Sequence, residues 1–463
     1  MRPALTASDA DDLQGLLRSA YRTLPCADYG LYNLSDPEGG RRLLRRLGEM
    51  ATATSARGLA VATQVALTST GLSAIGLPSD ILAEFSFEFL TGMNSDRCSR
   101  FLGDRPSEWV WGSPDGMPVH LLVATFAESE AKLNDAVAAV DALALSCGSS
   151  ATYRVNSGDL SSTDPFGFRD GISEPFVEEL SSRRQREDRG PARPVPLGEF
   201  VLGYPNMYGL KTHRPVLPLS RDPGCVLPEL APGEDPRNPD GGADLGRNGS
   251  YLVLRTLSQD TEAFASFLKA SAETTGMQAD LLAAKMIGRW PSGAPLALSP
   301  EVDRPDLASA NDFGYHSEDA LGLRCPLGAH IRRANPRDAL DPRPGSARSL
   351  DVTDRHRLLR RGRNYYKGQE RGLQFLALNA NIGRQFEFVQ HTWLNNPKFA
   401  GLYNDVDPIL GPRSPDSVFS VPTEPIRTRL TGLPDFVSTR GGAYLFLPGI
   451  RALRYLGTGP WSV

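Results

Sequence analysis

One histidine in this chain is placed where a metal could use it. His330 lies in the run Cys325-Pro326-Leu327-Gly328-Ala329-His330-Ile331-Arg332-Arg333-Ala334-Asn335-Pro336-Arg337-Asp338, among arginines and bounded by proline and glycine. A histidine taken at random is more often a hydrogen-bonded structural residue than a ligand, so other groups must change that balance. The first such group is Phe166-Gly167-Phe168-Arg169-Asp170-Gly171-Ile172-Ser173-Glu174-Pro175, whose Gly-x-x-Asp-Gly core sets a carboxylate between glycines on a tight, exposed turn. The second is Leu358-Leu359-Arg360-Arg361-Gly362. An arginine keeps its proton at any working pH, and a buried one is a fixed positive charge able to stabilise a departing oxygen anion. On sequence grounds a solvated surface suits these two arginines equally well.

Elimination among the six histidines isolates His330. His391 follows Ile382 by nine residues, about 180° from that helix's apolar stripe at ~100° per residue, and so faces solvent or a neighbour. His356 sits between arginines, His213 in a Pro-rich loop, and His120 and His316 are solitary. No His-x-x-x-His or His-Glu pair occurs, which leaves a two-histidine metal site without support. A single axial histidine is what a haem requires.

The chain of 463 residues is long enough for two to three domains with a sizeable core. Hydrophobic residues at 40% and charged residues at 22% describe a globular protein, and the net charge of −4 offers no basic field for nucleic acid. Five scattered cysteines, with no Cys-x-x-Cys pair, point to neither a disulfide framework nor zinc and fit a reducing compartment. Residues 1–22 hold no apolar signal core or twin-arginine leader, and no run reaches the ~20 apolar residues of a membrane span. Cytoplasmic residence is the expectation.

The elements that must position these groups read as strand and helix in repeated order. Gly30 to Leu34 predicts a strand, and Asp36-Pro37 starts a helix with Leu43, Leu44, Leu47 and Met50 on its buried stripe. Strands are expected at Gln64 to Thr68 and His120 to Phe126, then a helix carrying Leu133, Val137, Val140 and Ala144 on one face. Residues 161–250 are rich in Pro, Gly and Asp, with an arginine-rich surface loop at Ser181 to Arg189 expected to be mobile. The grammar then repeats: a strand at Tyr251 to Thr256, a helix capped by Asp260 with Phe264, Phe267 and Leu268, a strand at Leu373 to Leu378, a helix with Ile382, Phe386, Val389 and Trp393, and a last strand from Arg440 to Pro448. This is α+β architecture with helices on one face of antiparallel sheets, divided as 1–165, 166–249 and 250–463.

Taken in order, Gly167 to Gly171, Cys325 to Arg337, Leu359 to Gly362, Asn379 to Gln390 and Arg440-Gly441-Gly442 closely resemble the dye-decolorising peroxidase family, and the resemblance runs through nearly the whole chain. It implies two ferredoxin-like domains of the dimeric α+β barrel superfamily enclosing one haem b per chain. The second domain would hold most of the haem, with the Gly-x-x-Asp-Gly turn over its distal face. By motif, His330 is then the proximal iron ligand, Asp170 the distal acid–base and Arg360 the distal arginine. The implied activity is reduction of hydrogen peroxide to water with oxidation of dyes, phenols or other one-electron donors, in a monomer or homo-oligomer.

Charge complementarity makes Arg332 and Arg333 candidates for the haem propionates. The resemblance also places an acidic partner for His330 beyond the 381–393 helix; Asp407 in Asp405-Val406-Asp407-Pro408 is the first choice and Asp405 the second, and either could simply shape the turn. The chain departs from many relatives at Gly362-Arg363-Asn364-Tyr365-Tyr366-Lys367-Gly368, one residue longer and more polar, which bears on the shape of the distal pocket. Two other readings compete. A haem-handling protein would need His330 without both Asp170 and Arg360, and a metal-dependent hydrolase built on Asp170 lacks clustered ligands.

Overall fold

Strand β1 (Cys26–Asn33) leads the first half, followed by α1 (Pro37–Met50), β2 (Val61–Leu67), β3 (Leu121–Ala127), α2 (Glu130–Ser146) and β4 (Ser150–Ser157). The computed structural model describes residues 5–157, 163–181, 193–459 and 461; the arginine-rich stretch 182–189 lies outside them. Helix α1 begins where Asp36 accepts from the Gly39 amide at 2.7 Å and Pro37 occupies the first turn. Leu43, Leu44 and Leu47 are buried, whereas Met50, expected on the same stripe, ends the helix and is exposed. All pairings are antiparallel, and β1 lies between β3 and β4, giving the order β2-β3-β1-β4.

The second half repeats this plan. It contains β5 (Ser250–Gln259), α3 (Thr261–Thr275), α4 (Ala279–Ile287), α5 (His330–Ala334), β6 (Leu359–Arg360), β7 (Arg363–Lys367), β8 (Glu370–Asn379), a helical stretch over 383–394, and β9 (Val437–Leu447). Its order is β7-β8-β5-β9, again with the first strand between the third and fourth, while β6 pairs with β8 at the side. Each half is therefore ferredoxin-like. The half-sheets join where Phe446 of β9 meets Leu67 of β2, and the free edges approach where Lys367 Nζ of β7 lies 4.3 Å over the Tyr153 ring of β4. The second strand of each half thus faces the fourth strand of the other. Between them lies a shared interior that takes Tyr29, Leu31 and Phe126 from the first half and Leu252, Leu254, Leu376 and Leu445 from the second.

The polar segment after Arg361 forms a strand. It is β7, and buried Arg363 donates to the carbonyls of Ala20, Tyr21, Leu24 and Pro25 at 2.7–3.1 Å. Through Arg363 this strand ties an N-terminal segment to the second half. The 383–394 stretch also differs from the expected α spacing, being wound with wide turns: the Glu387 amide reaches Ile382 O at 3.0 Å and the Asn395 amide reaches Gln390 O at 2.8 Å. Ile382, Phe386, Val389 and Trp393 are all buried, but so are Gln385, Glu387 and Gln390. His391 is exposed and stacks on Phe101 with ring centres 3.9 Å apart. Among the described residues no helix is long and apolar enough to cross a membrane.

Candidate active site

His330 opens the five-residue helix α5, where Ala329 in extended backbone hands the chain into the turn. Its Nδ1 lies 3.0 Å and 3.2 Å from the two carboxylate oxygens of Asp407. Asp407 is fully buried and is itself held by the amides of Ile409 at 2.9 Å and Leu410 at 2.7 Å. Burial pushes the Asp407 carboxyl up, but the His330 ring, Arg333 and the Leu410 amide outweigh it and hold the group below the ordinary aspartate range. An ionised Asp407 accepts from Nδ1–H, so Nε2 is the nitrogen left for the cavity that His330 lines. Asp405 has another task, accepting from the Ser420 amide at 2.9 Å.

The Gly-x-x-Asp-Gly turn enters the same cavity from the connecting region. Asp164 closes the turn by accepting from the Phe168 amide at 2.8 Å, and Gly167 (φ 92°) and Gly171 (φ 77°) take backbone angles that a side chain would resist. Phe168 is buried in a cluster with Phe264 of α3 and Leu282 and Met286 of α4, which anchors the turn from below. Asp170 is left half open to the cavity, its side chain 51% accessible, with Oδ1 accepting from the Gly171 amide at 2.6 Å and from Arg360 Nη1 at 3.1 Å. The Arg360 guanidinium is the largest influence on Asp170 and holds its carboxyl below the usual value against the opposing effect of burial.

Arg360 is aimed by a residue to which the motif reading gave no role. Glu174 accepts from Arg360 Nη2 at 3.0 Å and from the Arg360 backbone amide at 3.0 Å, fixing both ends of the residue. The signal was present, since Glu174 stands four residues after Asp170 in the same segment, but its partner lies 186 positions away. Arg361 has no such access: it donates to Leu16 O at 2.8 Å and Leu17 O at 3.0 Å and is buried.

The cavity encloses about 1050 Å³ of non-atom space, its open mouth included. Apolar side chains such as Leu358, Phe375, Phe386 and Leu410 wall it, and Arg169, Arg289, Arg337, Arg357 and Arg360 supply positive charge. Neither Arg332 nor Arg333, expected near propionates, lines it. Arg332 is buried against Asp319 Oδ2 at 3.0 Å and Cys325 O at 2.7 Å, and Arg333 donates to the carbonyls of Gly328, Trp393, Asn396 and Asp405 at 2.7–3.1 Å. They brace α5 because its helical phase turns their side chains into the protein, away from the cavity. Arg169 lines the cavity; its backbone amide donates to Pro291 O at 3.2 Å, while its side chain makes no hydrogen bond or ion pair among the described residues.

Comparison with known proteins gives a consistent result. A dye-decolorizing peroxidase of Mycetinis scorodonius is 32% identical over 436 residues, covering 86% of this chain and 77% of the relative. The crystal structure of a DyP-type peroxidase of Anabaena sp. superposes with a TM-score of 0.78 at 21% identity, covering 97% of this chain and 95% of the other. A fungal DyP-type peroxidase from Auricularia auricula-judae superposes at 0.76 with 24% identity, covering 97% and 99%. No family model matches the chain. Identity of this extent with the Mycetinis enzyme, over a chain folded as two ferredoxin-like halves, places the protein: it belongs to the dye-decolorising peroxidase family.

Proposed function

We propose that His330 is the axial ligand of one haem b per chain, and that Asp170 and Arg360 act on hydrogen peroxide beside it in this haem peroxidase. One observation carries the reading: a single cavity gathers an imidazole with a free ring nitrogen and an aspartate hydrogen-bonded to a fixed guanidinium. The donor set fits an iron porphyrin. His330 offers one nitrogen backed by a carboxylate, the walls are apolar, and Arg169 and its neighbours suit the propionates. When bound, the haem supplies the iron that takes up peroxide and the two oxidising equivalents later drawn off as single electrons.

The protein's share of the chemistry follows from its own atoms. Asp170, held ionised by Arg360, takes a proton from one peroxide oxygen and returns it to the other, so that water rather than hydroxide departs. Arg360, oriented by Glu174, offsets the negative charge that grows as the O–O bond lengthens. Two protons and two electrons from an organic donor complete the reduction of one peroxide to two waters. A haem-handling protein would have no use for the aligned Asp170–Arg360–Glu174 set. Among the described residues no group of three or more His, Cys, Asp or Glu could hold a hydrolytic metal. We also propose a cytoplasmic setting, on the strength of five unpaired cysteines of which four are buried, and retain the division 1–165, 166–249 and 250–463.

The test is spectral and kinetic. Haem added to the purified chain gives a Soret band that His330→Ala alters, and Asp170→Asn and Arg360→Leu keep the band while slowing peroxide reduction about 100-fold or more. Wild-type stopped-flow rates in both distal variants overturn the assignment.

A further inference from the structure

Asp170 and Arg360 also border a second cavity, a polar one, shared with Arg18, Arg22, Gly171, Glu174, Arg361 and Arg363. Of the arginines lining it, four are engaged: Arg360 on Asp170 and Glu174, Arg18 on Thr54 O, and Arg361 and Arg363 on backbone carbonyls. Arg22 alone makes no hydrogen bond or ion pair among the described residues.

Its placement is nevertheless built. Arg361 and Arg363 grip the carbonyls of Leu16, Leu17, Ala20, Tyr21, Leu24 and Pro25, on both sides of Arg22, from the stretch that carries Arg360. Tyr21 adopts φ 53°, a left-handed conformation that a bulky residue keeps only when its surroundings enforce it. The Tyr21 ring packs on Phe126 at 4.8 Å and its hydroxyl accepts from Gln64 Nε2 at 3.1 Å, which is such an enforcement. The Arg22 guanidinium then lies against the catalytic turn: a Cβ on Gly171 would stand 2.1 Å from Arg22 Nη2.

We propose that Arg22 is a positioning residue of the peroxidase reaction, a fixed charge held over the Gly171 turn that keeps Asp170 in its proton-accepting form. The inference rests on the reading of Asp170 as the acid–base group. The charged and titratable groups that share the cavities Asp170 borders include Arg360 and Arg361 from β6 and its end, Arg22 from the N-terminal segment, Arg169, Asp164 and Glu174 from its own loop, and His330 from α5. Arg360 dominates and Arg22 acts in the same direction, and the Asp170 charge in turn raises Asp164. Arg22 thus adds, from the N-terminal segment, to the charge that Arg360 supplies from β6.

Two measurements test this. In the holoenzyme, removing a cation from beside an aspartate raises its pKa, so Arg22→Gln moves the acid limb of kcat/KM for peroxide to higher pH by about half a unit or more. That is a loss of about threefold at the foot of the limb, narrowing as pH rises, shrinking in high salt, and largely reversed in Arg22→Lys. Independently of turnover, a water-soluble carbodiimide activates only protonated carboxyl groups, so the pH at which Asp170 becomes labelled, read by peptide mass spectrometry, shifts upward by the same amount. A labelling midpoint unmoved by Arg22→Gln overturns the proposal, as does an equal shift in Arg22→Lys. A labelling shift without a limb shift also overturns it, by showing that Asp170 is not the group behind the limb.

Discussion

At the scale of single residues the site is a set of paired charges, each aimed by another. Glu174 illustrates this, since it binds both the guanidinium and the amide of Arg360 while Asp170 takes the remaining Nη1. Glu174→Gln keeps one acceptor oxygen but loses the charge, so we expect haem to be retained and kcat/KM for peroxide to fall about tenfold, the scale of one weakened charge-assisted bond. Steady-state kinetics with a Soret check on loading decides it. The second residue-scale expectation concerns Asp407. Asp407→Asn leaves an acceptor for His330 and for the Ile409 and Leu410 amides but withdraws the negative charge. If His330 holds the haem iron as proposed, the imidazole would then donate less to it, and we expect the ferric/ferrous midpoint to rise; a redox titration showing no change would remove Asp407 from that role.

At the scale of elements, buried charges tie strands to the helices that cover them. Asp28 of β1 is nearly inaccessible, meets Arg154 of β4 at 3.5 Å, and leaves Oδ2 without a hydrogen-bond partner. Burial pushes its carboxyl up to about 7, Arg154 opposing and Asp141 of α2 assisting. A carboxyl raised in the folded state binds more protons there than in the unfolded chain. Stability from this group is therefore full below about pH 4 and is lost as pH rises toward 7, by roughly 4 kcal/mol at most. Asp28→Asn should flatten that fall, which denaturant midpoints at pH 4, 5.5 and 7 would measure. The 383–394 helix acts at the same scale: wide turns let Phe386 and Val389 face the cavity while Gln385 donates to Glu199 O and Arg357 O, both at 2.9 Å, so one element serves cavity and framework together.

At the scale of the whole molecule the two halves share one interior. Phe126 shows the consequence. It is fully buried, packs on Tyr21 at 4.8 Å and Tyr29 at 6.0 Å, and has the Arg363 guanidinium of the second half 4.8 Å above its ring. Phe126→Ala should cost about 3–5 kcal/mol and lower a single unfolding transition common to both halves. Two separated calorimetric transitions, with only one displaced, would show that the halves are energetically independent.

Local chemistry determined much of this protein. Asp36-Pro37 starts α1, because a cap and a preset φ act within four residues. The apolar runs at 121–127 and 250–259 became central strands, each flanked on both sides, and the ordered motifs around Asp170, His330 and Arg360 identified the family before any fold was known. Tertiary structure decided the rest. β4 and β7 are edge strands whose polar residues lack alternation strong enough to read, and they become strands by pairing with β1 and β8. Arg332 and Arg333 carry the charge for propionates, but the rotation of a five-residue helix turns them inward. Arg22 and Glu174 reach the site through partners 149 and 186 positions away in the chain, distances at which sequence spacing carries no directional information.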